Sequence, residues 1–128
     1  MNYIDIVTAL ALLQFLAFDI LTGRARGKYK IKAPAVTGHD LFERTFRVQM
    51  NTLEQLIVFV PALWMAAKYW NPTWMALLGA IYLVGRVIYY VQYTDPTKNR
   101  TVGFALSFTP VFALAVLALL GAVMQGLK

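Results

Sequence analysis

The chain has 128 residues, of which 59% are hydrophobic and only 14% are charged. Soluble domains carry about a quarter charged residues, so this composition excludes an ordinary soluble protein. The formal net charge is +6, but the positive side chains cluster between long apolar runs instead of covering one face, which argues against nucleic-acid binding. The sequence contains no cysteine, so any thiol chemistry must use a thiol that the substrate brings.

Four apolar stretches are long enough to cross a bilayer, which takes about 20 residues. We expect membrane spans at residues 3–21, 42–69, 73–93 and 102–126. Tryptophans gather at the turn after the second span and tyrosines at the end of the third, as is typical of membrane interfaces. The sequence therefore predicts an all-α integral membrane protein, with one four-helix transmembrane domain over residues 1–128.

Lysine and arginine concentrate in the first and third loops, which lie on the same side of the membrane. The loop over residues 22–41 contains Arg24, Arg26, Lys28, Lys30 and Lys32. The loop over residues 94–101 contains Lys98 and Arg100. Because short loops rich in these residues stay in the cytoplasm, both loops are predicted to be cytoplasmic, with both termini on the opposite side.

Polar side chains follow one face of the second span and one face of the third. In the second span, spacings of three, four and three align Arg44, Arg47, Asn51 and Glu54. In the third span, the aligned residues are Tyr82, Arg86, Tyr89 and Tyr93. From a rise of 1.5 Å per residue, Glu54 and Arg86 should reach similar depths, and we predict that they form a structural charge pair.

The polar faces of these two spans allow two interpretations. Polar contacts can simply hold membrane helices together. Two arginines, an amide and a carboxylate near the cytoplasmic interface also suit a small water-soluble ligand that carries carboxylates, because the guanidinium fork matches a carboxylate. The lipid-facing flank would meanwhile admit an apolar second substrate from the bilayer.

The run from Phe42 to Glu54, FERTFRVQMNTLE, resembles the signature of the MAPEG superfamily, the membrane-associated proteins in eicosanoid and glutathione metabolism. It is most similar to the branch with microsomal glutathione transferases of the second type, leukotriene-C synthase and the 5-lipoxygenase-activating protein. The segment from Tyr82 to Tyr93, with Arg100 seven residues later, and the loop PAVTG at residues 34–38 match as well.

The resemblance implies a homotrimer of four-helix subunits with glutathione, the co-substrate, bound between neighbouring subunits. The positions that match the family's glutathione-binding residues are Arg26, Arg47, Gln49, Asn51, Glu54, Tyr89 and Tyr93. By position, Arg26 and Arg47 would hold carboxylates, and Asn51 and Glu54 the γ-glutamyl end. Arg100 matches the catalytic arginine that keeps the sulfur as thiolate, the nucleophilic form. No metal is expected, since the chain has one histidine and no cysteine.

The function that this implies is glutathione transfer to a hydrophobic electrophile, with peroxide reduction as a further activity. Gln55 and Gly27 stand where leukotriene-C synthase has a tyrosine and a second arginine, so a leukotriene substrate is not implied. The alternative is a non-catalytic lipid-binding scaffold like the 5-lipoxygenase-activating protein, whose signature lacks the arginine and glutamate found here at Arg47 and Glu54. A transporter would need charge along a continuous route, and the fourth span is uncharged.

Overall fold

The computed structural model describes residues 2–127 and contains four α-helices. They are α1 (Asn2–Tyr29), α2 (Asp40–Tyr69), α3 (Pro72–Tyr93) and α4 (Thr101–Gly126). The shortest, α3, has 22 residues and is about 33 Å long at 1.5 Å per residue, so each helix is long and apolar enough to cross a membrane. The predicted all-α four-helix architecture is confirmed.

Helix α1 continues eight residues beyond the predicted end of the first span, from Leu21 to Tyr29. The first three cations of the predicted loop 22–41 therefore lie on a helix, and the connecting loop covers only residues 30–39. Arginine, lysine and alanine are good helix formers, and cations in the last turns interact favourably with the helix dipole. The helix ends where Lys30 takes a positive φ of 57°.

Side chains that flank the helices fix where α2 and α3 begin. The Nδ1 atom of His39 accepts a hydrogen bond from the amide of Leu41 at 3.2 Å, and Asn71 accepts one from the amide of Thr73 at 2.9 Å. Both are N-cap contacts, which satisfy amides that have no partner within the helix. The single histidine is therefore a capping residue, stacked on Tyr29 at 3.8 Å.

Helices α2 and α3 form the centre of the bundle, with α1 packed against both on one side and α4 against both on the other. Two glycines allow α3 and α4 to approach closely at the end of the bundle that carries the basic segments. A Cβ atom on Gly85 would lie 2.6 Å from the amide nitrogen of Ser107, and one on Gly103 would lie 2.4 Å from Cα of Tyr89. Small residues at such contacts are typical of membrane helix pairs, and here they place the start of α4 beside the tyrosines of α3.

Candidate active site

A buried arginine joins three helices at the base of the polar region. The Arg86 side chain is fully buried and donates hydrogen bonds to Oδ1 of Asn51 at 2.8 Å, to Oγ1 of Thr52 at 3.1 Å and to Oγ of Ser107 at 2.8 Å. Its guanidinium also lies 4.3 Å from the ring centroid of Tyr89. Arg86 thus holds α2, α3 and α4 in a fixed relation through neutral oxygen acceptors and an aromatic face.

The predicted Glu54–Arg86 charge pair is wrong. Within residues 2–127, Glu54 forms its ion pair with Arg47, at 3.2 Å between Oε1 and Nη1. Arg86 instead meets Asn51, which lies one helical turn before Glu54 on the same face of α2. The physical reason is exposure: the Glu54 and Arg47 side chains are both about half exposed, whereas the buried Arg86 donates from both of its terminal nitrogens to neutral oxygens.

An open polar cleft of about 640 Å³ lies above this buried arginine, at the start of α2 and the turn between α3 and α4. Its cations are Arg44, Arg47, Lys98 and Arg100, and its carboxylates are Asp40 and Glu43. The excess of cations favours an anionic ligand, and the carboxylates leave room for an ammonium group on the same molecule. The cleft therefore suits a zwitterion or polyanion with several carboxylates.

Tyr93 lies between two guanidinium groups in the cleft wall. The centroid of its ring is 5.6 Å from Cζ of Arg100 and 5.9 Å from Cζ of Arg44. Arg44 also donates to the carbonyl of Tyr93 at 3.1 Å and pairs with Asp40 at 3.0 Å. The Arg44 side chain thus links α2 to α3. Arg100, in contrast, is exposed at the N-cap of α4, and its side chain makes no capping hydrogen bond.

The turn that carries Lys98 and Arg100 is ordered by its own side chains. Hydrogen bonds from the hydroxyl of Thr97, at 2.7 Å, and from its amide, at 3.0 Å, hold the pKa of Asp95 below its usual value. Asp95 therefore stays ionised at neutral pH and faces Lys98 at 4.0 Å. On the α4 side, Gln92 accepts from the amide of Gly103 at 2.9 Å. These contacts fix where Arg100 stands at the cleft.

An aromatic row leads from the cleft along α4 into the apolar part of the bundle. The Tyr89 ring lies 5.3 Å from Tyr93 and 6.4 Å from Phe104. Phe104 then stacks with Phe108 at 5.5 Å, and Phe108 with Phe112 at 6.1 Å. Because Phe108 and Phe112 are exposed on the outer surface, the row offers an apolar molecule a route from the bilayer toward Arg100.

Of the eight predicted site residues, three line the cleft, three lie beside these or beside Arg86, and two lie apart. Arg47, Tyr93 and Arg100 line the cleft, and Glu54 and Tyr89 contact the lining residues Arg47 and Tyr93. Asn51 accepts a hydrogen bond from Arg86, which lies over Tyr89 but does not line the cleft. Arg26 donates instead to the carbonyl of Ala35 at 2.6 Å. Gln49 donates to Asp19 on α1 at 2.9 Å. Arg26 and Gln49 therefore face the α1 side of the subunit, away from the cleft.

Sequence reasoning missed several residues that build this region. The hydroxyl partners of Arg86 are Thr52 and Ser107. Thr52 lies off the polar stripe of α2, and Ser107 lies in an otherwise mostly apolar helix. Ser107 could have been noticed only because it lies seven residues, two turns, after Arg100 on the same face of α4. Asp40 and Lys98 also line the cleft, although the sequence predicts both to lie in loops.

Comparison with known proteins finds matches over nearly the whole chain. The model of the MAPEG family matches residues 5–120. Microsomal glutathione S-transferase 2 of Homo sapiens is 43% identical over 116 residues, covering 91% of this chain and 77% of that protein. Leukotriene C4 synthase of Cavia porcellus is 33% identical over 115 residues, covering 90% and 77%.

A bacterial relative extends the comparison beyond the animal enzymes. The uncharacterized protein sll1147 of Synechocystis sp. is 48% identical over 120 residues, which cover 94% of this chain and 88% of that protein. The match of the family model over nearly the whole chain, together with four helices fit to cross a bilayer, identifies an integral multi-pass membrane protein. This chain belongs to the MAPEG family.

Proposed function

We propose that this protein is a membrane glutathione transferase that joins the thiolate of glutathione to a hydrophobic electrophile. The observation that carries the proposal is the cationic cleft, in which Arg100 lies over the Tyr93 ring and, within residues 2–127, forms no ion pair. Glutathione carries two carboxylates, an ammonium group and a thiol, which match a cleft with four cations and two carboxylates. The names of the relatives support transfer of glutathione.

The Arg47–Glu54 pair is suited to the γ-glutamyl end of glutathione, which is itself a zwitterion. Arg47 would bind its carboxylate, and Glu54, with Asn51 nearby, would bind its ammonium group. Tyr89 and Tyr93 would form the wall against which the peptide lies. The presence of both Arg47 and Glu54 as a formed ion pair favours the enzyme over a lipid-binding scaffold without catalysis.

Chemistry would follow from placing a cation beside the thiol. A thiol with a pKa of about 8.5 is mostly protonated at pH 7, and an adjacent guanidinium favours the anion. With an aryl chloride, the thiolate sulfur attacks the carbon that bears chlorine, a carbon–sulfur bond forms, and chloride leaves with the bonding electrons. Holding the thiolate next to an electrophile drawn from the bilayer supplies the remaining acceleration by proximity. Hydroperoxides are a second class of electrophile that the same thiolate could reduce.

The test is glutathione conjugation to chlorodinitrobenzene by the protein purified in detergent. We expect turnover by the wild type and, in Arg47→Ala, a KM for glutathione raised roughly tenfold or more, because a charge-assisted hydrogen bond contributes about 1.5–3 kcal/mol. Lys68→Ala, at the other end of α2, serves as the control and should leave KM unchanged. A wild type that neither binds glutathione nor turns over would make a lipid-binding scaffold the better account.

We also infer that the active unit is a homotrimer whose sites lie between subunits, with the cleft on the cytoplasmic side. Arg26 and Gln49 lie away from the cleft of their own subunit, so they can take part in glutathione binding only from a neighbouring one. The basic residues of the first and third loops support the cytoplasmic placement. Closed cyclic symmetry would give every subunit the same interface.

Mixed oligomers test this arrangement. Arg26→Ala and Arg100→Ala are expected to be weakly active when each is expressed alone, because every site then lacks one arginine. When the two are co-expressed in equal amounts, about a quarter of the interfaces should pair an intact Arg26 with an intact Arg100 and recover activity. Co-expression of Arg47→Ala with Arg100→Ala is the control. Because both residues come from one cleft, interfaces between different chains should not recover, and equal recovery in both mixtures would contradict a shared site.

A further inference from the structure

A second cavity lies on the opposite side of the bundle from the cleft. It has a volume of about 470 Å³ and is formed by the last turns of α1, the start of α2 and the end of α3. The residues that matter for its chemistry are Leu21, Arg24, Lys28, Tyr29, Tyr90 and Thr94. It opens at the same end of the bundle as the basic segments, where the apolar part of α1 gives way to charged residues.

The cations of this cavity lack acidic neighbours. Its lining contains Arg24 and Lys28 but neither aspartate nor glutamate, whereas the cleft has Asp40 and Glu43. Within residues 2–127, neither Arg24 nor Lys28 takes part in an ion pair. Because they are one turn apart on the same face of α1, both can approach a single anionic group from one side.

A separate apolar groove lies further along the same helices, beyond Phe18, which stacks on Tyr90 at 5.4 Å. It lies between the same two helices, α1 and α3, and has a volume of about 410 Å³. Along α1 the lining passes from Leu21 in the cavity to Leu13 and Leu10 in the groove, and along α3 from Tyr90 to Val87 and Val84. Two cations near the end of α1 thus lie on the same pair of helices as an apolar groove on the outer surface, where Leu13 and Val84 are exposed.

We propose that this crevice binds an anionic phospholipid, with its phosphate on Arg24 and Lys28 and one acyl chain along the α1–α3 groove. The charge of the cavity selects an anionic head group, and the apolar groove selects a molecule with a hydrocarbon chain. A soluble phosphate would use only the cavity, and a zwitterionic lipid would place a second cation against Arg24 and Lys28. The site is separate from the glutathione cleft and does not depend on the proposed transferase activity.

The test is native mass spectrometry of the detergent-purified protein with phosphatidylglycerol or phosphatidylcholine added. The wild type should retain phosphatidylglycerol in preference to phosphatidylcholine. The double variant Arg24→Gln/Lys28→Gln should bind phosphatidylglycerol roughly tenfold or more weakly, since each basic residue near an anionic head group adds measurably to affinity. The control, Lys30→Gln/Lys32→Gln, removes the same charge from the adjacent loop and should bind as the wild type does.

Three outcomes would overturn the proposal. Equal weakening in the two double variants would mean that the basic segment attracts anionic lipid without a defined site. Equal retention of the two lipids by the wild type would mean that the head group is not selected. Displacement of bound lipid by millimolar inorganic phosphate, with no contribution from the acyl chain, would mean an anion site only. Thermal unfolding of each variant in detergent shows that a loss of binding is not a loss of fold.

Discussion

Arg100→Ala should lower the rate of glutathione conjugation at pH 7 by about thirtyfold while leaving the folded protein intact. A thiol with a pKa of about 8.5 is about 3% ionised at pH 7, and this fraction limits the variant if Arg100 holds the wild-type thiol as thiolate. We expect Arg100 to contribute little to the stability of the fold, because its side chain is exposed and makes no capping hydrogen bond. Its guanidinium lies 5.6 Å from the ring centroid of Tyr93.

The pH profile separates this role from simple binding. The thiol pKa is lowered by a neighbouring cation, so the advantage of the wild type is greatest below this lowered pKa. It falls as the pH rises toward about 8.5, where the unassisted thiol ionises. The ratio of wild-type to Arg100→Ala activity at saturating glutathione should therefore shrink toward one near pH 9. Arg100→Lys keeps the charge and should retain part of the low-pH activity. A ratio that is constant from about pH 6 to pH 9 would show that Arg100 does not act on thiol ionisation.

The four helices and the polar faces of α2 and α3 could be predicted because both depend on local periodicity. Apolar runs of sufficient length and side chains three or four residues apart determine them. The end of α1 could not be predicted in the same way. A run of cations from Arg24 onward is typical of a membrane loop, but arginine and lysine are also good helix formers. The helix ends only at Lys30, where the backbone turns to positive φ.

The hydrogen-bond partner of Arg86 on α2 could not be predicted from residue spacing alone. Asn51 and Glu54 lie on one face of α2, and counting residues along two antiparallel helices fixes relative depth only to about one turn. The choice between them depends on how deeply each helix is inserted and on α4, which reaches Arg86 through Ser107. That contact exists because Gly85 lets α4 approach α3, and no periodicity within one helix encodes it.

The orientation of Arg26 and Gln49 was also beyond the sequence. Both match family positions, yet residue spacing on α2 only separates Gln49 from Arg47 by about 200° around the helix. Only the structure shows that Gln49 contacts Asp19 on α1 and that Arg26, itself on α1, donates to Ala35 in the following loop. Because both residues lie apart from Arg100 within one subunit, they can contribute to the same site as Arg100 only if a neighbouring subunit supplies them.

Arg86→Ala should have the largest effect on stability, lowering the free energy of unfolding by roughly 3–5 kcal/mol. The substitution leaves a cavity and removes the donors to Asn51, Thr52 and Ser107, and a buried acceptor without a partner costs about 1–3 kcal/mol. Ser107 is affected least, because its hydroxyl still donates to the carbonyl of Gly103 at 2.9 Å. Arg86→Met fills most of the volume without restoring the hydrogen bonds, so it should fall between alanine and the wild type.

Unfolding in detergent, followed by circular dichroism against a denaturant, measures these differences, with Arg24→Ala as an exposed control that should change little. The effect should also reach the cleft, because Arg86 holds Asn51 and lies over Tyr89. Arg86→Met, the milder variant, should therefore raise the KM for glutathione, whereas Arg100→Ala should reduce kcat with unchanged stability. If Arg86→Ala unfolded at the wild-type denaturant concentration, the buried network would not be what holds α2, α3 and α4 together. Arg86 and Arg100 are only 14 residues apart, but their substitutions should have different effects. A change in stability and KM would identify Arg86 as the residue that positions the site, and a change in kcat alone would identify Arg100 as the catalytic residue.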